Sequence, residues 1–146
     1  GMKTVAKQGV CPENLWPYVI ANFAQKPPAN CYQAAAHHPV KQYLRLPQAL
    51  VPMKACLAAG YPFVFGFTVY ESFESPAVAQ SGVLQMPAVG EQALGGHAVC
   101  AVGYDDSQQR FTIRNSWGSG WGMRWDERVG RALAAHHGAS LSPPLS

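Results

Sequence analysis

His97 and Asn115 are the two side chains in this sequence best suited to move a proton and to hold the group that moves it. Both lie in the stretch 95–122, GGHAVCAVGYDDSQQRFTIRNSWGSGWG. An imidazole has its unperturbed pKa near neutrality, so it takes and returns a proton at physiological pH. A neighbouring carboxamide accepts a hydrogen bond from one ring nitrogen, fixes the tautomer and leaves the other nitrogen facing a nucleophile. Gly95 and Gly96 let backbone approach a bound substrate with no Cβ in the way. Trp117 is placed to cover the His–Asn bond and keep water from competing for it. Taken singly, a histidine at a strand start and an asparagine at a strand end are ordinarily structural. Only their juxtaposition points to chemistry.

That juxtaposition depends on a hairpin. An apolar run (98–104), a polar turn (105–109) and an alternating run (110–115) predict two antiparallel strands joined by a loop of about five residues. If Tyr104 opposes Arg110, positions summing to 214 face each other, so Val99 lies opposite Asn115 and His97 opposite Trp117. Opposed side chains sit roughly 5 Å apart at Cβ and diagonal ones roughly 7–8 Å. His97 and Asn115 are thereby expected within reach of each other at the open end.

The segments GGHAVCAVGYDD and FTIRNSWGSGWG resemble the His and Asn segments of the papain-like cysteine peptidases, nearly residue for residue. The resemblance extends upstream through GVCPENLWPY (9–18) and MKACLAAGYPFVFGFTVYESF (53–73), in a form typical of bacterial members, and covers roughly residues 9–122. It implies that His97 is the general base and acid, that Asn115 orients it and that Trp117 shields the pair, with Gly95 and Gly96 in support. It also implies peptide-bond hydrolysis by a thiolate–imidazolium pair, acting on a peptide or protein substrate without a cofactor.

The nucleophile is missing from the expected place. In that family a cysteine in a C-G-S/A-C-W segment precedes the His and Asn by roughly 130–150 residues. Only 96 residues precede His97 here, and both that segment and its oxyanion glutamine are absent. Gln8-Gly9-Val10-Cys11 resembles the start of such a segment, but Asn14 stands where the thiol belongs. Cys100 is three residues from His97 on one strand and so points to the opposite face. Cys11, Cys31 and Cys56 fall in segments that, by resemblance, lie away from the cleft. Nucleophile: none in this chain.

At 146 residues the length predicts one domain with room for a real core. A composition of 48% hydrophobic and 13% charged residues argues against disorder. A net charge of +3 without Lys/Arg runs makes no case for nucleic acid. No apolar run approaches the roughly 18 residues of a membrane span, and the four cysteines match no zinc spacing. Cys11 and Cys31 bracket a proline-rich loop; a bridge and a pair of free buried thiols are both open. Gly1 before Met2 reads as a tag residue, and 2–8 lacks the apolar core of a signal peptide.

In order, 2–8 reads as the end of an upstream helix stopped by Gly9, and 11–28, with four prolines, as irregular chain. Asn30 is a candidate cap for a short helix to His38, and 41–46 alternates like a strand. Residues 52–59 form the clearest helix. The run 63–70, FVFGFTVY, predicts a central strand buried on both faces, with a bulge or close contact at Gly66. Residues 71–74 start a short helical turn, and 75–94 is turn-rich. After Gly122 the resemblance fails; Asp126 is a candidate cap for a weak helix to His137, with a loose end beyond, and such a break suggests a frame shift or recombination in the gene. The expected fold is α+β: an antiparallel, partly barrel-like sheet with short flanking helices, the right-hand half of a papain-like fold. The expected organisation is a remnant helix at 1–8, the peptidase-like domain at 9–122 and a divergent tail at 123–146. Three functions stay open: the base-bearing portion of a peptidase, inactive alone; a non-catalytic peptide- or protein-binding module; and a subunit completed by a partner carrying the cysteine. Exposed apolar surface left by the absent half predicts a homodimer or segment exchange.

Overall fold

The structure, a computed structural model, describes residues 1–123 and 132–136, the latter by backbone alone. The chain divides into two compact units, Gly1–Arg45 and Leu46–Ser146.

The first unit is mostly irregular around two helices. Helix α1 (Met2–Gln8) ends at Gly9, whose N–H donates to the Val5 carbonyl. Gly9 has φ 75°, and a Cβ there would fall 1.8 Å from the Ala35 carbonyl oxygen, at the end of α2 (Ala29–Ala35). Glycine is required by contact as well as by conformation. Helix α2 starts after Pro28, not at an Asn30 cap, and stops at Ala35 rather than His38. The fixed φ of proline orders the entry without a side-chain cap. The expected strand at 41–46 does not form; these residues are irregular chain.

The second unit is a five-stranded sheet with helices packed on it. Helix α3 (Leu50–Ala58) begins two residues before Pro52, which therefore stands inside the first turn, where a missing N–H costs nothing. Strand β1 (Phe63–Tyr70) has the predicted span. It is followed by a 3-10 turn (Glu71–Glu74), helix α4 (Pro76–Ser81) and β2 (Val83–Leu84). The hairpin strands are β3 (Ala93–Asp105) and β4 (Arg110–Arg114), and β5 is Ala132–His136. The order is β1-β3-β4-β5-β2, antiparallel except for the parallel β2–β5 pair, and the sheet is not closed.

Three details depart from expectation. Strand β1 lies at the edge of the sheet, and only its odd-numbered residues face the core; Val64 on the other face is 63% exposed. Gly66 pairs regularly with Ala98, with the register shift falling instead between Val69 and Tyr70. Residues 132–136 run as a strand against β4, where a helix to His137 is expected; the open edge of β4 supplies backbone partners that outweigh local alanine propensity. The proposed cap Asp126 and the final residues lie outside the described ones.

The core gathers on one face of the sheet. Val69, Val99, Ala101 and Ile113 point into it from β1, β3 and β4, and Phe73 and Val78 close it from the turn and α4. Phe63, Phe65, Phe67, Leu57 and Trp121 pack around its rim. Phe73 and Ile113 are its largest fully buried side chains.

Candidate active site

The hairpin sets the site, and its register holds a correction. Near the loop Asp105 pairs with Arg110, Tyr104 with Phe111 and Gly103 with Thr112, one step from the expected pairing of Tyr104 with Arg110. A shift between Ala101 and Gly103 then absorbs one residue, so Ala101 faces Ile113 and Cys100 faces Arg114. The open end thus recovers the register that brings His97 to Asn115. The turn itself is fastened by Asp105, whose carboxylate accepts from Ser107 Oγ at 2.6 Å and from the Gln108 N–H at 3.1 Å. The Ser107 hydroxyl foremost, then that N–H, holds the Asp105 pKa below its ordinary value.

His97 Nε2 lies 2.9 Å from Asn115 Oδ1. The Ser116 N–H donates to the same oxygen at 2.8 Å. A backbone amide can only donate, so it identifies the facing atom as the carboxamide oxygen; that oxygen in turn requires His97 Nε2 to carry the proton. Nδ1 is left with its lone pair, able to take a proton from a nucleophile. Asn115 Nδ2 is buried and has no hydrogen-bond partner among the described residues.

Rings hold the imidazole from several sides. Trp117 lies over it with ring centres 5.0 Å apart and planes 32° from parallel. Phe67 meets it edge-on at 5.9 Å, and Phe73 lies at 6.0 Å. Phe73 also touches Phe67, Trp117 and Trp121, at 5.2, 5.1 and 5.4 Å. Trp121 is carried in by the glycine-flanked turn that follows Trp117, anchored where the Gly122 N–H donates to the Ala79 carbonyl at 2.6 Å.

An open cleft of about 160 Å³ borders the ring, lined by Val69, Glu74, Leu94, Gly95, Gly96, His97 and Trp117. A Cβ at Gly95 would meet nothing within 4 Å, and one at Gly96 only the Phe67 carbonyl at 3.9 Å. Neither glycine has a positive φ. Local packing and backbone conformation therefore leave both positions free for larger residues, and the open space beside them belongs to the cleft.

The structure brings together all five residues singled out from sequence: His97, Asn115, Trp117, Gly95 and Gly96. Phe73 and Glu74 were missed as parts of the site. The only local signal is an aromatic residue among polar ones in ESFE, and it does not tell which core the ring enters. Three of the four thiols have backbone partners away from the ring: Cys56 donates to the Tyr61 carbonyl, Cys100 to that of Ala101 and Cys31 to that of Leu15. No group of three or more His, Cys, Asp or Glu suited to a metal ion occurs among the described residues.

Comparison with known proteins adds the relatives. A family model described as papain family cysteine protease matches residues 1–132. An uncharacterized peptidase C1-like protein of Acanthamoeba polyphaga mimivirus is 41% identical in an alignment 131 residues long that covers 84% of this chain and 42% of the viral protein. A cathepsin B-like protein of Giardia intestinalis is 45% identical over 73 residues, 48% of this chain and 22% of that protein. Among solved structures, xylellain, a cysteine protease from Xylella fastidiosa, superposes with a TM-score of 0.80 at 36% identity, covering 93% of this chain and 53% of xylellain. Procathepsin B of Trypanosoma congolense shares the fold, with a TM-score of 0.60 at 23% identity over 96% of this chain and 48% of its own. The chain spans about half the length of these solved relatives, and less of the two curated ones.

Proposed function

The chain belongs to the papain family of cysteine proteases, and from that premise we propose that it carries the proton-transfer half of a thiol protease site without the thiol. His97 acts as the base and acid, Asn115 fixes its tautomer, Trp117 covers their bond, and Gly95 and Gly96 leave room for a peptide. The hydrogen bond between His97 and Asn115, with Ser116 defining the carboxamide's orientation, carries this proposal.

In a complete site, a cysteine thiol facing Nδ1 loses its proton to His97, and the resulting imidazolium stabilises the thiolate. The thiolate attacks the peptide carbonyl, and His97 returns the proton to the departing amine. A water molecule, deprotonated by the same nitrogen, then releases the acyl group. Every step uses His97 Nδ1, so the proton on Nε2 must stay where Asn115 keeps it. This chain supplies the base and its orienter but no thiol in contact with the ring, so it does not turn over substrate alone.

The test is hydrolysis of a fluorogenic peptide by the purified chain, compared with His97→Ala. Equal, background rates are expected; turnover abolished by His97→Ala would refute the inactivity. Activity gained on adding a polypeptide with the family's cysteine segment, and lost again in His97→Ala, is the expected positive result.

Association follows from the same proposal. The segment around the 3-10 turn Ile20–Asn22 exposes Tyr18, Ile20 and Phe23 at 85%, 74% and 90%. A cluster of exposed large apolar groups favours burial against another chain. Light scattering is expected to show a dimer or larger species, and a monomer across the micromolar range would contradict it.

A further inference from the structure

We propose that Glu74 makes the cleft beside His97 a subsite for a lysine or arginine side chain, so that peptides with a cation next to the scissile bond are preferred. The inference rests on the active-site reading above and adds to it the charge of the peptide selected. His97 exchanges protons with the atoms of that bond, so a cleft bordering its ring takes the side chain of a flanking residue.

The lining of the cleft points to a cation. Glu74 is the one acidic side chain among the seven lining residues, and no lysine or arginine lines it. Glu74 is exposed and has no hydrogen bond or ion pair among the described residues. Glu71, at the other end of the same turn, is not part of the lining. Glu91 is committed to the N–H groups of Ser72 and Ala88. An ionised glutamate only accepts hydrogen bonds, so the carboxylate of Glu74 calls for a donor, best a charged one.

The backbone that carries it is fixed on both sides. Glu74 ends the 3-10 turn Glu71–Glu74 and precedes Ser75, whose hydroxyl caps α4. The Glu71 N–H donates to the Gln92 carbonyl at 3.3 Å, and the Ser75 N–H to the Ser72 carbonyl at 3.2 Å. Phe73 seats the turn in the core against His97. A carboxylate on a turn already ordered costs little further entropy when a guest arrives.

Size and surface match one long basic side chain. About 160 Å³ is below the roughly 300–1,000 Å³ of sites that enclose a whole small molecule. Lysine and arginine lay their methylene stems on apolar surface while the charged head stays in water. Leu94 and Trp117, both partly exposed, supply that surface, and an indole also attracts a cation. An acidic guest meets Glu74 as a like charge, and an apolar one gains the stem contacts alone. Because an exposed ion pair is screened by water, the preference is modest, about two- to fivefold in affinity.

The test titrates the isotope-labelled whole chain at low salt with the Nα-acetyl amides of lysine, norleucine and glutamate. NMR follows the Gly95 and Gly96 amides and the Trp117 indole N–H. The lysine probe is expected to bind about two- to fivefold more tightly than norleucine, and glutamate more weakly than norleucine. Glu74→Gln is expected to reduce both differences while keeping the His97 Nε2–H signal, and salt at about 1 M is expected to reduce them in the unmodified chain. Should the variant fail to fold, the salt dependence decides. Equal binding of lysine and norleucine, shifts that spare the three reporters, no binding of any probe, or a lysine preference undiminished by the substitution or by salt would each overturn the proposal. These titrations need no thiol. Failure of the active-site reading shows instead as no gain of activity with the cysteine-bearing polypeptide, so the two failures are separable.

Discussion

Phe73→Ala is the perturbation that most directly tests how the imidazole is held. Phe73 is 1% exposed and contacts Phe67, His97, Trp117 and Trp121 with ring centres between 5.1 and 6.0 Å. Truncating a buried phenylalanine costs roughly 3–5 kcal/mol, the spread reflecting how far the surroundings collapse. Here four of the neighbours are rigid rings, which fill a void poorly, so about 4 kcal/mol is expected. That is a large share of the roughly 5–15 kcal/mol that stabilises a typical folded chain. Phe73→Leu, which keeps most of the volume, is expected to cost about 1–2 kcal/mol. Trp117 and Trp121 both touch the ring, so guanidinium unfolding followed by tryptophan fluorescence reports the change directly. Proton–nitrogen NMR of the His97 ring reports the site: its Nε2–H signal should broaden or vanish in Phe73→Ala and persist in Phe73→Leu. A loss below about 1 kcal/mol, or an unchanged His97 signal in the alanine variant, would show that Phe73 does not hold the imidazole.

Gly9→Ala places a Cβ against the Ala35 carbonyl at a positive φ, and a loss of at least about 1 kcal/mol is expected in urea unfolding. Ser75→Ala removes the Oγ that accepts from the Val78 N–H at 3.3 Å and starts α4, so calorimetry should show a loss of about 1 kcal/mol. Glu91 accepts from the Ser72 N–H at 2.6 Å and the Ala88 N–H at 2.8 Å, which tie the turn behind Phe73 to the chain leading into β3. Hydrogen bonding from Ser72 foremost, then Ala88, lowers its pKa from the ordinary 4.5. A lowered carboxylate pKa contributes stability above the unfolded value and loses it as pH falls through the folded one. Unfolding midpoints measured as pH drops below 4.5 should therefore fall less steeply in Glu91→Gln than in the unmodified chain.

The hairpin was legible because it is local. Alternation of apolar and polar residues, a turn rich in Asp, Ser and Gln, and a histidine and asparagine at matching distances from that turn sufficed to bring His97 and Asn115 together. The ends of α1 and β1 were legible for the same reason, through a stop glycine and an unbroken apolar run.

What the chain alone left open depended on partners distant in sequence. The irregularity between Ala101 and Gly103, which restores the register at the site, depends on the ladder as a whole and not on any residue signal. The edge position of β1 is a consequence of strand order, and hydrophobicity cannot distinguish an edge strand packed on one face from a central strand packed on two. The strand at 132–136 forms because β4 offers it a backbone edge, against its local helical preference. Phe73 beneath the imidazole is a contact that only folding creates. Short-range periodicity and turn chemistry determined which side chains the hairpin would present. Packing between segments decided what surrounds them, because contact energies between remote residues leave no pattern along the chain.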